Sequence, residues 1–221
     1  MQYKNICVEK IFHAGVKIKN NSIVCYVDPL NLPSGAETAD FILITHEHTD
    51  HCSAMDVKKI TNENTTIITI PACEEKLREL KYREIKLVKP YDTIVFPQLK
   101  ITTVPAYNIN KFRPSGEPCH PKENNNVGFV LEIDGVKIYH AGDTDVIPEM
   151  SGLKNIDIAF LPVSGIFTMT PEEAAEATNI TKPSLAVPIH YGDFEFNGQL
   201  VGAKENGDKF KSLCKTPVNI I

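Results

Sequence analysis

The chain has 221 residues, of which 42% are hydrophobic and 23% are charged, a composition typical of globular proteins and too apolar for a disordered one. Its 23 lysines and arginines against 28 aspartates and glutamates give a formal net charge of -5, which argues against a dedicated nucleic-acid-binding protein. No apolar run approaches the roughly 18 residues of a membrane span, and the first residues lack the plan of a signal peptide. We therefore expect a cytoplasmic protein with no membrane and no nucleic-acid partner. Its six scattered cysteines form no CxxC pair and are expected to be reduced thiols.

Strand signals dominate the first third of the chain. Four segments rich in apolar and β-branched residues are predicted as strands: 11–18, 22–28, 41–44 and 65–70. The first two flank Lys19-Asn20-Asn21, a plausible hairpin turn because asparagine tolerates positive φ. The run at 41–44 is continuously apolar, which predicts a strand covered on both faces. A helix is predicted to begin at Pro71.

The second part of the chain alternates strand and helix signals. Strands are predicted at 127–133, 136–139, 156–161 and 185–189. Asp134-Gly135 joins the first two as a two-residue hairpin, and Thr170-Pro171-Glu172-Glu173 is a capping-box pattern that begins a helix. The segment 105–126 is long and polar and fits no element, as is typical of a lid, a binding loop or a disordered segment. The pattern predicts a layered α/β protein with mixed sheets, in one domain over residues 1–221.

Three of the seven histidines lie within six residues, directly after the strand predicted at 41–44. His46 and His48, two residues apart in a loop at a strand end, can converge on one metal ion. Asp50 and His51 can then turn toward a second ion. Imidazole nitrogens and carboxylate oxygens suit Zn²⁺, Mn²⁺ or Fe. The sequence therefore predicts a metal site at this strand end.

Two further candidate ligands follow strands in the second part of the chain. Asp143, in Gly142-Asp143-Thr144, is placed where a carboxylate could bridge two cations. His190 follows the strand predicted at 185–189. Each motif alone would more often be structural, but all three share one context, the end of a buried strand.

These residues together resemble the metallo-β-lactamase superfamily. His46, His48, Asp50 and His51 match its HxHxDH motif, Asp143 matches its bridging aspartate, and His190 matches its last histidine. Asp28 matches an aspartate that in the family supports the ligand loop. The resemblance implies an αββα sandwich, two mixed sheets flanked by helices, with the metals at one edge between the sheets. Within the superfamily, the sequence most resembles the branch of small stand-alone hydrolases that are similar to ascorbate-phosphate lactonases. It resembles N-acylphosphatidylethanolamine-hydrolysing phospholipases more distantly.

The sequence departs from the family at the third motif, where Tyr107-Asn108 stands at the position of a histidine. A neutral amide is a poor Zn²⁺ ligand compared with imidazole. We hypothesise that His120, in the segment 105–126, folds back to replace the missing ligand, with Cys119 as the weaker candidate. His13 is interpreted as a structural histidine within a strand, and His140 as a residue that packs or hydrogen-bonds behind the ligands.

The resulting hypothesis is metal-assisted hydrolysis by two divalent cations, with Zn²⁺ the first expectation and Mn²⁺ or Fe the alternatives. His46, His48 and His120 would hold one cation, and Asp50, His51 and His190 the other, with Asp143 shared. Asp50 is the candidate catalytic residue, because a carboxylate beside the metals can accept a proton from the attacking water. The substrate is expected to be a small phosphoester, lactone or similar ester, and an anionic one could be covered by the segment 105–126.

Three rival functions differ in the features they require. A nuclease is expected to carry a basic surface or an RNA-binding arm, and a di-iron oxygen-handling module to carry Glu in place of His48 and a fused flavin domain. None of these features is seen in the sequence. A non-catalytic metal-binding or sensing scaffold, motivated by the missing third-motif histidine, is the alternative from a different class.

Overall fold

The computed structural model describes residues 1–221, which fall into two compact units, Met1–Lys89 and Pro90–Ile221. Each unit contains one large mixed sheet and two α-helices. That the two units form the single domain expected for residues 1–221 stays a prediction.

The first unit contains a seven-stranded sheet whose strands lie side by side in chain order: β1 (Gln2–Tyr3), β2 (Ile6–Lys10), β3 (Val16–Lys19), β4 (Val24–Val27), β5 (Phe41–Ile44), β6 (Thr66–Thr69) and β7 (Glu84–Leu87). The strands β1 to β4 pair antiparallel, whereas β4 to β7 pair in parallel. Parallel neighbours need crossover connections, and helices α1 (Ala54–Ile60) and α2 (Pro71–Leu77) lie in two of them. Loops that follow β4, β5 and β6 therefore begin at the same edge of this sheet.

The strand predictions in this unit are confirmed in part. All four residues of β5 are buried, as the continuous apolar run predicted. The strand expected over 11–18 is wrong in its first half, because residues 11–15 form a turn between β2 and β3. His13 adopts a φ of 54° in this turn, and a Cβ at Gly15 would lie 3.0 Å from the carbonyl oxygens of Phe12 and Asp28. The turn therefore depends on a glycine that the apolar pattern of the segment obscures.

The second unit contains a six-stranded sheet in the order β13-β12-β11-β10-β9-β8 and a separate hairpin of β14 and β15. The strands are β8 (Thr93–Val95), β9 (Lys100–Pro105), β10 (Val127–Ile133), β11 (Val136–His140), β12 (Ile158–Pro162), β13 (Leu185–Ile189), β14 (Glu195–Phe196) and β15 (Gln199–Leu200). The helices are α3 (Pro171–Thr181) and α4 (Asn206–Leu213), with 3-10 turns at Lys122–Asn124 and Pro148–Gly152. The strands β8 to β11 pair antiparallel, and β11, β12 and β13 pair in parallel.

Local sequence signals in this unit are confirmed. Asp134 and Gly135 have φ values of 50° and 75°, the two positive values that a tight hairpin turn between β10 and β11 requires. The Thr170 side chain accepts a hydrogen bond from the Glu173 backbone, and the Glu173 side chain accepts one from the Thr170 backbone, so the capping box of α3 is complete.

Apolar side chains of β11, β12, β13 and the two helices form the core of the second unit, with Tyr139, Leu161 and Phe210 fully buried. Burial of this face holds the parallel strands in register and keeps their carboxyl ends together. Two candidate ligands of this unit, Asp143 and His190, follow β11 and β13. No helix of the chain is long and apolar enough to cross a membrane.

Candidate metal centre

Asp28 holds the histidine loop of the first unit. It follows β4, and the segment 45–51 follows the parallel neighbour β5. The buried Asp28 carboxylate accepts hydrogen bonds from the backbone N–H of Thr45 at 2.8 Å, from the Thr45 hydroxyl at 2.7 Å and from Nδ1 of His51 at 2.8 Å. With three donors on its carboxylate, Asp28 supports the loop and sets the orientation of the His51 ring, with Nε2 as the ring nitrogen left to act as a ligand.

His46 and His48 converge within the first unit. Nε2 of His46 lies 3.0 Å from Nδ1 of His48, close enough for both nitrogens to reach one cation. The Thr45 hydroxyl lies 3.0 Å from Nδ1 of His46 and gives its own proton to Asp28, so it accepts a hydrogen bond from that nitrogen. The chain of hydrogen bonds from Asp28 through Thr45 thus leaves Nε2 of His46 as its ligand atom.

Asp50 lies between two histidines of the same unit. Its Oδ2 is 3.6 Å from Nε2 of His51 and 3.4 Å from Nε2 of His13, and its side chain is 17% exposed. The interpretation of His13 as a strand residue is therefore wrong. His13 lies in the turn before β3 and is fully buried, and its Nε2 lies beside Asp50 and His51. The sequence signal that could have revealed this position is Gly15, because a glycine inside an apolar pattern can mark a turn.

In the second unit, two histidines face one carboxylate. Asp143 follows β11, and its Oδ2 lies 3.3 Å from Nε2 of His120 and 3.1 Å from Nε2 of His190. All three side chains are buried. His190 directly follows β13, with a φ of 59° that turns the chain out of the strand direction at that residue. The second unit thus brings together three of the candidate ligands named from the sequence, His120, Asp143 and His190.

Asn108 lies at the third-motif position and contacts His120. Its Oδ1 is 2.8 Å from the backbone nitrogen of His120 and 2.7 Å from the ring nitrogen Nδ1. Cys119, the other candidate donor, is not among the residues whose ligand atoms cluster. His140 is buried, and its Nδ1 accepts a hydrogen bond from the backbone of Gly142 at 3.3 Å, next to Asp143.

Hydrogen bonds and ion pairs connect the segment 105–126 to the rest of the second unit. Asp145 accepts hydrogen bonds from the backbone of Ile109 at 2.6 Å and of Asn110 at 2.8 Å. Lys111 lies 2.7 Å from Glu173. Burial alone would raise the pKa of Glu173, but the hydrogen bonds that it accepts, first from Lys111, outweigh this and lower the pKa. Glu173, which completes the capping box of α3, therefore also anchors this segment.

The other cations of this segment are engaged as well. Lys122 lies 2.9 Å from Glu149 and 3.2 Å from the hydroxyl of Tyr107, and these hydrogen bonds raise the pKa of Lys122. Arg113 donates to the backbone oxygen of Cys119 at 3.1 Å. These side chains belong to the segment that the sequence offered as a cover for an anionic substrate, and their contacts shape the loop that carries His120.

The clustered histidine and aspartate side chains form a donor set that could hold metal ions. Residues 8–190 match the family model described as the Beta-lactamase superfamily domain. Since this match spans most of the chain, the chain belongs to the β-lactamase superfamily. The predicted fold class, that of the metallo-β-lactamases, is confirmed.

Relatives of known name agree with this family. A metal-dependent hydrolase of Thermococcus onnurineus is 39% identical over 158 residues, which cover 69% of this chain and 67% of the relative. One of Enterococcus faecalis is 36% identical over 177 residues, which cover 75% of this chain and 77% of the relative. The solved structure of a candidate metal-dependent hydrolase from Parabacteroides distasonis is 33% identical, with a TM-score of 0.81 over 97% of this chain and 92% of that one. The expected enzyme class, a metal-dependent hydrolase of this superfamily, is confirmed.

Proposed function

We propose that this protein uses two divalent cations to hydrolyse a phosphoester, lactone or similar ester of a small molecule. One observation carries the proposal: each unit places Nε2 atoms of buried histidines within 3.6 Å of a carboxylate, beside Asp50 in the first unit and beside Asp143 in the second. The family match supports the proposal because it extends from residue 8 to residue 190 and so includes every candidate ligand.

The donor chemistry fits a pair of divalent cations. We propose His46, His48 and His120 as ligands of one cation and Asp50, His51 and His190 as ligands of the other, with Asp143 shared. Imidazole nitrogens combined with carboxylate oxygens favour Zn²⁺ and also accept Mn²⁺ or Fe. In support, Asp28 and Thr45 hold His51 and His46 with Nδ1 protonated, which leaves Nε2 of each ring with a lone pair for a cation.

When bound, the two cations would lower the pKa of a water molecule toward neutrality and stabilise negative charge that develops on the substrate. The chain's own contribution is to orient the ligands and to accept the proton. Asp50 is the proposed proton acceptor, because its carboxylate is partly exposed and lies beside the ligand nitrogens of His13 and His51. The proposed substrate is a small ester. The cationic side chains of the segment 105–126 are engaged by partners of the second unit, so we do not propose them as contacts of an anionic substrate.

The first test is metal content and turnover of untagged protein. We expect two equivalents of metal per chain by plasma mass spectrometry, and steady hydrolysis of at least one member of a panel of phosphodiesters, lactones and thioesters. In His51→Ala, we expect turnover to fall by more than about 100-fold, because even residues that only hold a ligand contribute about 10–100-fold. Met55→Ala is the control, because Met55 lies on α1 of the same unit and is 79% exposed.

Either of two results would overturn this function. Unchanged turnover in His51→Ala would show that the proposed metal centre takes no part in the hydrolysis. One equivalent of metal or less, persisting after incubation with Zn²⁺, Mn²⁺ and Fe²⁺ and accompanied by no turnover, would favour the non-catalytic metal-binding scaffold.

His120 is tested separately as the substitute for the missing third-motif histidine. We expect His120→Ala to retain about one equivalent of metal where the parent chain holds two, because one cation loses an imidazole and the other keeps Asp50, His51 and His190. Metal titration followed by mass spectrometry measures this difference. Cys119→Ser is the control, and we expect it to keep both equivalents. Loss of metal in Cys119→Ser with full content in His120→Ala would reverse the assignment.

A further inference from the structure

We propose that Asn108 is the positioning residue for His120: it fixes the ring tautomer that directs a lone pair of the histidine toward Asp143. The inference rests on the proposed function in that it takes His120 as a metal ligand. It assigns a role to a residue that is itself a poor ligand and that stands where the family pattern has a histidine.

The direction of the Asn108 amide is determined by its neighbours. Its Nδ2 donates to the backbone oxygen of Phe167 at 3.0 Å, and its Oδ1 accepts from the backbone N–H of His120 at 2.8 Å. A carbonyl oxygen can only accept and a backbone N–H can only donate, so both contacts require the same orientation of the amide. The oxygen therefore faces His120.

This orientation dictates the state of the imidazole. Oδ1 of Asn108 lies 2.7 Å from Nδ1 of His120, and since the amide oxygen has no proton to give, Nδ1 must carry one. In the neutral ring, Nε2 then holds the lone pair, and Nε2 is the atom that lies 3.3 Å from Oδ2 of Asp143. The backbone N–H of Asn108 also donates to the backbone oxygen of His120 at 2.9 Å, so the two residues are held along both main chain and side chain.

The first unit uses the same arrangement with a different acceptor. There, the Asp28 carboxylate accepts from Nδ1 of His51 at 2.8 Å and leaves Nε2 as the ligand atom. Metal-binding histidines commonly donate their other ring N–H to an oxygen that fixes the tautomer and the ring orientation. Asn108 supplies that oxygen without adding a negative charge. Both side chains are nearly excluded from solvent, with 5% of Asn108 and 2% of His120 exposed, so water cannot readily replace the contact.

The ring tautomer can be measured directly in the metal-free protein. We expect ¹⁵N–¹H long-range spectra at pH 8 to show Nδ1 of His120 protonated in the parent chain, which corresponds to a single tautomer of the neutral ring. Asn108→Leu is expected to lose this single tautomer and to bind Zn²⁺ about 10–100-fold more weakly at one of its sites. Asn108→Asp keeps an oxygen for both His120 donors and is expected to restore the tautomer, although it loses the donor to Phe167.

Asn124→Leu is the matched control, because Asn124 lies in the same segment and its side chain is exposed. We expect it to leave the His120 tautomer and Zn²⁺ affinity unchanged. A His120 ring that lacks the proton on Nδ1 in the parent chain, or an unchanged tautomer and affinity in Asn108→Leu, would overturn the inference. Because the tautomer is measured without metal, a parent chain that binds no metal would contradict the proposed function and leave this result standing on its own.

Discussion

Asp143→Ala is expected to abolish tight binding of both cations and the hydrolysis that depends on them. In the second unit, the Asp143 carboxylate lies within 3.3 Å of the ligand nitrogens of His120 and His190, so its removal takes away the group that both histidines face. We expect affinity for each cation to fall by more than about 100-fold, beyond the 10–100-fold typical of residues that only support a ligand. Isothermal titration with Zn²⁺ and metal analysis after gel filtration measure the loss.

Two variants make this result specific. Asp143→Asn keeps the size of the side chain and removes its charge, and we expect a loss nearly as large, because a neutral amide is a weak ligand. Asp134→Asn changes an exposed aspartate in the hairpin turn before β11, where asparagine tolerates the φ of 50°, and we expect no effect on metal binding. Full metal content and activity in Asp143→Ala would eliminate its proposed role as the shared ligand.

Asp28→Asn is expected to lower both the stability of the protein and its affinity for metal. The carboxylate accepts three hydrogen bonds in a fully buried position, and an amide nitrogen in place of one oxygen leaves at least one of these donors unpaired. We expect the free energy of unfolding to fall by about 1–3 kcal/mol for each donor left unpaired. Because His51 loses the oxygen that fixes its tautomer, we expect Zn²⁺ affinity to fall by about 10–100-fold.

Asp56→Asn separates these two effects. Asp56 is also buried in the first unit and accepts hydrogen bonds from the backbone of Asn31 and Leu32, but it contacts none of the candidate ligands. We expect a loss of stability in urea unfolding of the metal-free protein, with unchanged affinity for Zn²⁺. If the two variants weaken metal binding equally, the effect of Asp28 follows from general destabilisation and not from its contact with His51.

The sequence alone determined the parts of the site that depend on neighbours in the chain. The apolar run of β5 predicted a buried strand, and the loop that follows carries His46, His48, Asp50 and His51 within six residues. The hairpin turn at Asp134-Gly135 and the capping box at Thr170 were readable for the same reason, because each depends on backbone geometry over two to four residues.

Only the tertiary structure decided which distant residues meet. The turn at 11–15 brings His13 to Asp50, although an apolar pattern favoured a strand there. Eleven residues of irregular backbone separate Asn108 from His120, and their pairing depends on the anchoring of the segment to Glu173, Asp145 and Glu149. Periodicity predicts which face of a helix or strand is buried. A long loop has no such periodic pattern, because its conformation is set by contacts with residues distant in the chain.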